Sequence, residues 1–238
     1  MLGHFPVTRS DTSVYESGRY WSVVTDFHDD HGQPKAERVH DLLHGLPINS
    51  ILDIGCGSGR ALVALCDMTG AKGYGIDLSP EPIAFANQHY GNERVRYAVA
   101  DPRSLSGISY DLVMLLDVFE HVDDYIGFLR SVRPLGRYFA FSIPLDMNVT
   151  SILFGGYMRA RKLVGHLHYF TKDSALATVE YAGFKVIGYR YADPGIRYGS
   201  AGELFASCLR VTARRISHNM ETKLFGGNGI FVLAEVAD

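Results

Sequence analysis

Residues 51–60 read ILDIGCGSGR: an apolar, β-rich run that carries one acid, Asp53, and then three closely spaced glycines, Gly55, Gly57 and Gly59. A glycine turn after a strand lets a ligand touch the main chain and presents the N–H groups of the following helix to it. A nicotinamide dinucleotide would use such a turn, but two details oppose one. The glycines follow a G-x-G-x-G spacing, whereas the dinucleotide fingerprint requires G-x-G-x-x-G. Asp53 also lies two residues before the first glycine, at the same crevice. A carboxylate there would repel a pyrophosphate and suit a cation.

Outward from this stretch, apolar strand-like runs recur at SILDIG (50–55), KGYGID (72–77), VRYAVA (95–100), YDLVMLLD (110–117) and GRYFAFSIP (136–144). Helical patterns lie between them. GRALVALCDM sets Leu62, Leu65 and Cys66 on one face, and YIGFLRSV repeats Ile126, Leu129 and Val132 before Pro134. Near-continuous apolar strands alternating with amphipathic helices predict an α/β fold, a parallel sheet covered on both faces and doubly wound. Upstream, QPKAERVHDLLHGL reads as a helix with Pro34 in its first turn and Gly45 after its last. After residue 144 the alternation breaks. A capped helix follows in FTKDSALATVEYAGF, with Thr171 as N-cap, Leu176 and Val179 inward and Gly183 as the stop. KVIGYRYA (185–192) and GIFVLAEVA (229–237) are expected to close the sheet. Between them GELFASCLRVTARRIS predicts a helix with Leu204, Phe205, Cys208 and Leu209 opposite Arg210, Arg214 and Arg215.

The second strand ends in Asp77, where an acid commonly accepts ribose hydroxyls. The third ends in VAD, placing Asp101 where an adenine amino group could donate to it. Acids at three successive strand ends describe a ligand with adenosine on one side and positive charge on the other. S-adenosylmethionine has an ammonium, a sulfonium, a ribose and an adenine, and no phosphate.

These residues carry a resemblance. The chain is similar to the class I S-adenosylmethionine-dependent methyltransferases through LDIGCGSG (52–59), GIDLSPEPI (75–83), VAD (99–101), YDLVMLLDVFEHV (110–122) and HLHYFTKDSALATVEYAGF (166–184). It looks like the branch that holds ubiquinone- and natural-product-type small-molecule enzymes. The resemblance implies a Rossmann-like sheet of seven strands, the last antiparallel, with helical lid insertions. It implies S-adenosylmethionine as cofactor and S-adenosylhomocysteine as product. Asp53, Gly55, Cys56 and Gly57 would hold the methionine part, Asp77 and Leu78 the ribose, and Asp101 and Pro102 the adenine, with Leu116 and Asp117 at the end of strand four beside them. The N-terminal segment 1–34 would fold over the cofactor as a lid, with Tyr20 and Trp21 as aromatic contacts. Residues 35–238 would form one domain, with insertions 145–165 and 194–228 as the acceptor lid.

For an oxygen acceptor a base often removes a proton. Glu120, His121, His166 and His168 are the candidates, with His121 favoured because strand four borders the methyl group. A local hydrogen-bonding role for His121 stays open, and so does a structural role for His166 and His168, which alternate as strand residues do. Relatives in the ubiquinone branch suggest a Glu-His pair as ligands to a divalent metal. No metal site is expected here, nor in DFHDDH (26–31), which reads as a polar helix entrance.

Composition narrows the field. With 47% apolar and 21% charged residues and a net charge of -3, the chain has no call for nucleic acid. Cys56, Cys66 and Cys208 are odd in number and lack metal spacing, which suits buried thiols in a reducing compartment. The N-terminus lacks a basic stretch followed by an apolar one, and no apolar run approaches the roughly 18 residues of a membrane span. A cytoplasmic enzyme without membrane insertion is expected. Residues 151–228 carry 11 Lys and Arg against 5 Asp and Glu, so the lid is basic over an acidic site. That favours an acceptor with a carboxylate, phosphate or phenolate and points to Arg159, Arg161 and Arg210. Carbon or nitrogen methylation and a non-catalytic cofactor-binding module are the alternatives; oligomeric state is not legible.

Overall fold

The computed structural model describes residues 21–192, 201–226 and 229–237, with side chains over 31–192, 209–226 and 229–237. Seven strands form one sheet: β1 (Ser50–Ile54), β2 (Lys72–Asp77), β3 (Val95–Val99), β4 (Tyr110–Leu116), β5 (Gly136–Pro144), β6 (Phe184–Ala192) and β7 (Gly229–Val236). Their order is β3-β2-β1-β4-β5-β7-β6. β1 to β5 pair in parallel, and β7 runs antiparallel to both β5 and β6. This is the doubly wound Rossmann-like sheet that the alternation and the resemblance predict. The chain reverses its direction of travel across the sheet between β1 and β4, which opens a crevice beyond their carboxyl ends.

Period-two side-chain geometry divides the core. Ile51, Leu112 and Met114 face one layer, while Leu52, Val113 and Leu115 face the other. Both faces are covered, so the run LVMLL in β4 is buried throughout. On the first face α1 (Trp21–Leu43) applies Ala36, Val39, Leu42 and Leu43, and α2 (Arg60–Thr69) applies Leu62, Leu65 and Cys66. α3 (Pro80–Tyr90) adds Ile83 and Ala86 to that layer. On the second face α4 (Tyr125–Val132) contributes Leu129 and Val132. The short α5 (Val149–Phe154) and α6 (Gly156–Leu163) follow β5. α7 (Lys172–Tyr181) applies Ala175 and Val179 to the second face, and it begins with a capping box between Thr171 and Ser174. α8 (Ala201–Ile216) and α9 (His218–Phe225) lie between β6 and β7.

Two helix expectations are corrected. α1 starts by Trp21, so Pro34 lies in its interior and DFHDDH is helical instead of being a helix entrance. An interior proline forfeits a hydrogen bond, but tertiary packing outweighs it here: Gly32 presses so closely on α2 that a Cβ would come within 2.5 Å of Arg60 Cβ. In α8, Leu209 is exposed, and Arg210 turns inward instead. Glu221 on α9 is fully buried, and Arg210 (3.0 Å) and Arg214 (3.6 Å) converge on it. A buried carboxylate must be paired, so it sets which face of α8 turns in. Leu204, Phe205 and Cys208 lie outside the residues whose side chains are described, as does Tyr20.

The glycine turn is fixed by packing as much as by dihedral angle. Gly59 has φ 83°, and a Cβ there would stand 2.6 Å from Tyr97, whose hydroxyl donates to the Gly59 carbonyl at 2.8 Å. Gly59→Ala is expected to destabilise the protein by about 1–3 kcal/mol through overpacking and a strained backbone. Urea unfolding followed by circular dichroism measures it; an unchanged midpoint would contradict this account of the turn.

Candidate functional site

The crevice at the carboxyl ends of β1 and β4 brings together Asp53, the glycine turn, Asp77 and Asp117. Gly55, Gly57 and Gly59 all adopt positive φ, and the turn is bound to β2: the N–H groups of Gly55 and Cys56 donate to the Ile76 carbonyl at 2.8 and 3.0 Å. A Cβ on Gly55 would meet Val118 at 2.9 Å, so the β1 and β4 loops touch only because this residue is bare. Asp77 binds the turn too. Its carboxylate accepts from Gly57 N–H at 3.2 Å and from Ser79 N–H at 2.9 Å. Burial raises its pKa while those two donors oppose the rise. Leu78 beside it is exposed.

Asp53 is buried beneath the turn. Loss of hydration raises its pKa to about 8; Lys35 works against the rise and Asp77 adds to it. The Cys56 thiol is pushed well up by burial and then by Asp53 and Asp77, which leaves it inert as a nucleophile. Asp117 ends β4 in a left-handed conformation, φ 61°. Such a residue is strained by about 1 kcal/mol or more and persists only when its surroundings hold it. Here three contacts do so. Asp117 N–H donates to the Ser142 carbonyl at 3.0 Å, Ser142 Oγ donates to Oδ1 at 2.6 Å, and Lys35 Nζ stands 2.7 Å from Oδ2. Burial would raise the Asp117 pKa, but the Lys35 ammonium outweighs it and holds the group below the usual carboxylate range. Lys35 is raised in turn, since Asp117, Glu120 and Asp53 overcome the effect of its burial. Leu116 is buried just before this turn.

Asp101 sits at the β3 end as expected, but its carboxylate is engaged by Arg103. Nε contacts both oxygens at 3.0 Å, and the backbone N–H adds a bond at 2.8 Å. These bonds lower its pKa. Arg103 must share that carboxylate with any further donor. Pro102 is buried in the 3-10 turn that Asp101 caps.

The candidate bases separate. His168 Nε2 bonds the Val122 carbonyl at 2.9 Å and its ring packs on Tyr125, with centroids 4.3 Å apart. His166 instead comes to His121, ring centroids 4.9 Å apart. The segment holding them is not a strand. Leu167 and His168 N–H groups donate to the Glu120 carbonyl at 2.9 and 3.2 Å, which pins it to the turn after β4. His166 Nδ1 meets Asp146 Oδ2 at 2.5 Å. Glu120 is fully buried, with neither carboxylate oxygen hydrogen-bonded among the described residues. Burial, and then the Asp117 charge, pushes its pKa well up, so the neutral form is favoured. Ligand atoms of Glu120, His121 and His166 lie within 4.8 Å of one another.

Sequence reasoning missed Lys35, Ser142, Asp146 and Arg103. A signal existed for Asp146: it is an acid just beyond a strand end, the same pattern as Asp77 and Asp101. No local pattern marks Lys35, because only the crossing of α1 over the sheet brings it to the acids.

A sequence profile described as "Methyltransferase domain" matches residues 27–188, more than half of the chain. The ubiquinone biosynthesis O-methyltransferase of Aeromonas salmonicida is 30% identical over 53% of this chain and 58% of its own length. That of Pseudoalteromonas translucida is 24% identical over 92% of this chain and 98% of its own. The chain thus spans under two thirds of the first relative and nearly all of the second. Among solved structures, magnesium protoporphyrin IX methyltransferase from Synechocystis with bound S-adenosylhomocysteine aligns with a TM-score of 0.62 at 17% identity, covering 94% of this chain and 97% of that one. A methyltransferase in complex with the Haloferax volcanii Trm112 activator aligns with a TM-score of 0.67 at 18% identity, over 97% and 100%. At these identities the two structures speak for the fold.

The protonation of Asp53 sets a pH dependence. With its pKa raised to about 8 the carboxyl is mostly neutral below that pH, and a cationic ligand requires the carboxylate. Affinity for S-adenosylmethionine should therefore rise with pH, roughly tenfold per unit between about pH 6 and 7.5, and binding should release a proton. Titration calorimetry in buffers of different ionisation enthalpy reads both. A flat profile with no proton release would remove Asp53 from the site.

Proposed function

This chain belongs to the methyltransferase-domain family and is an S-adenosylmethionine-dependent methyltransferase, and we propose that its acceptor is an oxygen of a small anionic or phenolic molecule. The observation that carries the proposal is the His166–Asp146 contact beside His121. A carboxylate on Nδ1 fixes the imidazole tautomer and stabilises the imidazolium, leaving Nε2 free to take a proton. The acceptor oxygen attacks the methyl carbon as the carbon–sulfur bond breaks. S-adenosylhomocysteine leaves, and the acceptor's proton passes to His166 Nε2. His166 thus takes the role first given to His121, and His168 keeps a structural one.

The remaining residues bind and align, which is worth on the order of 7–11 kcal/mol for a well-held pair of reactants. Asp53 and Lys35 receive the ammonium and carboxylate of the cofactor's methionine part, Asp77 the ribose hydroxyls, and Asp101 the adenine amino group. Glycine-turn N–H groups and the exposed Leu78 complete the cradle. Segments 145–165 and 194–228 form the acceptor lid, a reading supported by the bond from Thr150 Oγ1 to the Phe225 carbonyl at 3.0 Å. Arg210 leaves the list of acceptor residues, since Glu221 holds it; Arg159 and Arg161 stay exposed or half-exposed.

A second reading has one observation in its favour, the buried Glu120 carboxyl, which has no hydrogen bond among the described residues and faces His121 and His166. These three residues fit a divalent cation, which would polarise the acceptor oxygen when bound.

His166→Ala should lower kcat by roughly 100-fold or more and leave the cofactor Kd nearly unchanged. Asp146→Asn should cost less, and His168→Ala should spare kcat at temperatures where the variant stays folded. Transfer from labelled S-adenosylmethionine to a panel of catechols and hydroxybenzoates, read by mass spectrometry, measures all three. Full activity of His166→Ala would overturn the base assignment. Loss of parent activity on chelation, restored by a divalent metal, would favour the cation reading instead.

A further inference from the structure

The 3-10 turn after β3, Pro102–Ser104, uses up its own main-chain donors. Pro102 has no N–H. Arg103 N–H donates to Asp101 Oδ1 at 2.8 Å, Ser104 N–H to the Asp101 carbonyl at 2.9 Å and Leu105 N–H to the Pro102 carbonyl at 3.1 Å. From residue 102 to 105 the backbone therefore has no donor to offer a ligand. Adenine nevertheless requires one. Beside the amino group that Asp101 would accept from, its edge carries the ring nitrogen N1, an acceptor. An acceptor taken out of water without a partner is costly.

The Arg103 side chain supplies what the backbone lacks. Its Nε contacts both Asp101 oxygens at 3.0 Å, and Nη2 stands 2.5 Å from Oδ2. The remaining guanidinium N–H groups make no hydrogen bond among the described residues. The carboxylate also keeps room: the main-chain N–H, Nε and Nη2 of Arg103 fill all but one of its roughly four acceptor sites. Those bonds lower the Asp101 pKa, so it accepts as the anion. Oδ2 and Nη2 lie side by side, which sets an acceptor next to a donor, the complement of an amino group next to a ring nitrogen. Bidentate contact keeps the guanidinium in the plane of the carboxylate, and a flat purine edge can meet both at once. We propose that Arg103 is a cofactor-binding residue and that the Asp101–Arg103 pair reads the edge of adenine, Asp101 accepting from the amino group and the guanidinium donating to N1. That role presupposes Asp101 at the adenine amino group, as under the proposed function, and adds the residue that tells purines apart. Hypoxanthine, with a carbonyl and an N–H in those places, would set acceptor against acceptor and donor against donor.

Calorimetric titration of the full chain with S-adenosylhomocysteine and two analogues tests the pair. One analogue has CH in place of N1; the other lacks the amino group. The parent should bind S-adenosylhomocysteine roughly tenfold more tightly than the CH analogue, the scale of a hydrogen bond from a charged donor. Arg103→Ala should weaken S-adenosylhomocysteine by about that factor and leave the CH analogue unchanged, which abolishes the preference. Arg103→Lys should keep part of it, since an ammonium donates without the planar fork. Both substitutions retain the main-chain N–H that Asp101 accepts from, and thermal melting by circular dichroism checks that the variants are folded. A parent that binds the CH analogue as tightly as S-adenosylhomocysteine overturns the proposal. So does an Arg103→Ala variant that keeps the preference, or one that binds S-adenosylhomocysteine more tightly and thereby marks the guanidinium as a competitor for Asp101. The second analogue tests Asp101 by itself. If it binds as S-adenosylhomocysteine does, Asp101 is not at the amino group and the paired reading fails, even where the N1 preference still assigns Arg103 to the ring.

Discussion

Four carboxyl groups, Asp53, Asp77, Asp117 and Glu120, collect where β1, β2 and β4 end, and the ammonium of Lys35 is set among them. Acids this close in a desolvated space cannot all ionise. The protein resolves the conflict unevenly. Asp117 keeps its charge by contact with Lys35, while Asp53 and Glu120 are driven toward neutrality. The same contact ties α1 across the crevice and helps hold Asp117 in its strained conformation. A ligand with one carboxylate and two positive centres would complete this arrangement, which is the charge pattern of the methionine end of S-adenosylmethionine.

The glycines serve this electrostatic site through shape. Gly55 lets Val118 approach, Gly59 and Gly75 make room for Tyr97, and Gly32 lets α1 press on α2. Each removes a Cβ where two elements must touch, so the loops after β1 and β4 come within reach of one ligand. The thiol of Cys56, buried in the same turn, adds bulk and no chemistry.

Beyond β5 the chain leaves the sheet and is fastened where it returns. Asp146 departs, His166 comes back to meet it, and the next two N–H groups close on the Glu120 carbonyl. A segment anchored at both ends can carry surface helices that add nothing to the core. In the neighbouring helical pair Glu221 plays a comparable role, drawing Arg210 and Arg214 inward so that α8 and α9 pack as one unit.

The sheet, its strand limits and the glycine turn were legible in sequence because they follow local rules: period-two apolar runs, helix caps such as Thr171, and turn glycines. Asp53, Asp77 and Asp101 were legible for the same reason, since each stands at a strand end that the pattern itself locates. What tertiary structure decided are the pairings across distance. Lys35 reaches Asp117 over 81 intervening positions, and α1 runs through Pro34 because contact with α2 outweighs one lost hydrogen bond. Asp146 selects His166 over His168 by proximity alone. Arg210 turns inward for a buried acid that no periodicity reveals. Sequence encodes which side chains an element presents, but the charges that face one another are fixed only when the elements pack, because Coulomb and hydrogen-bond energies depend on distances the chain order does not carry.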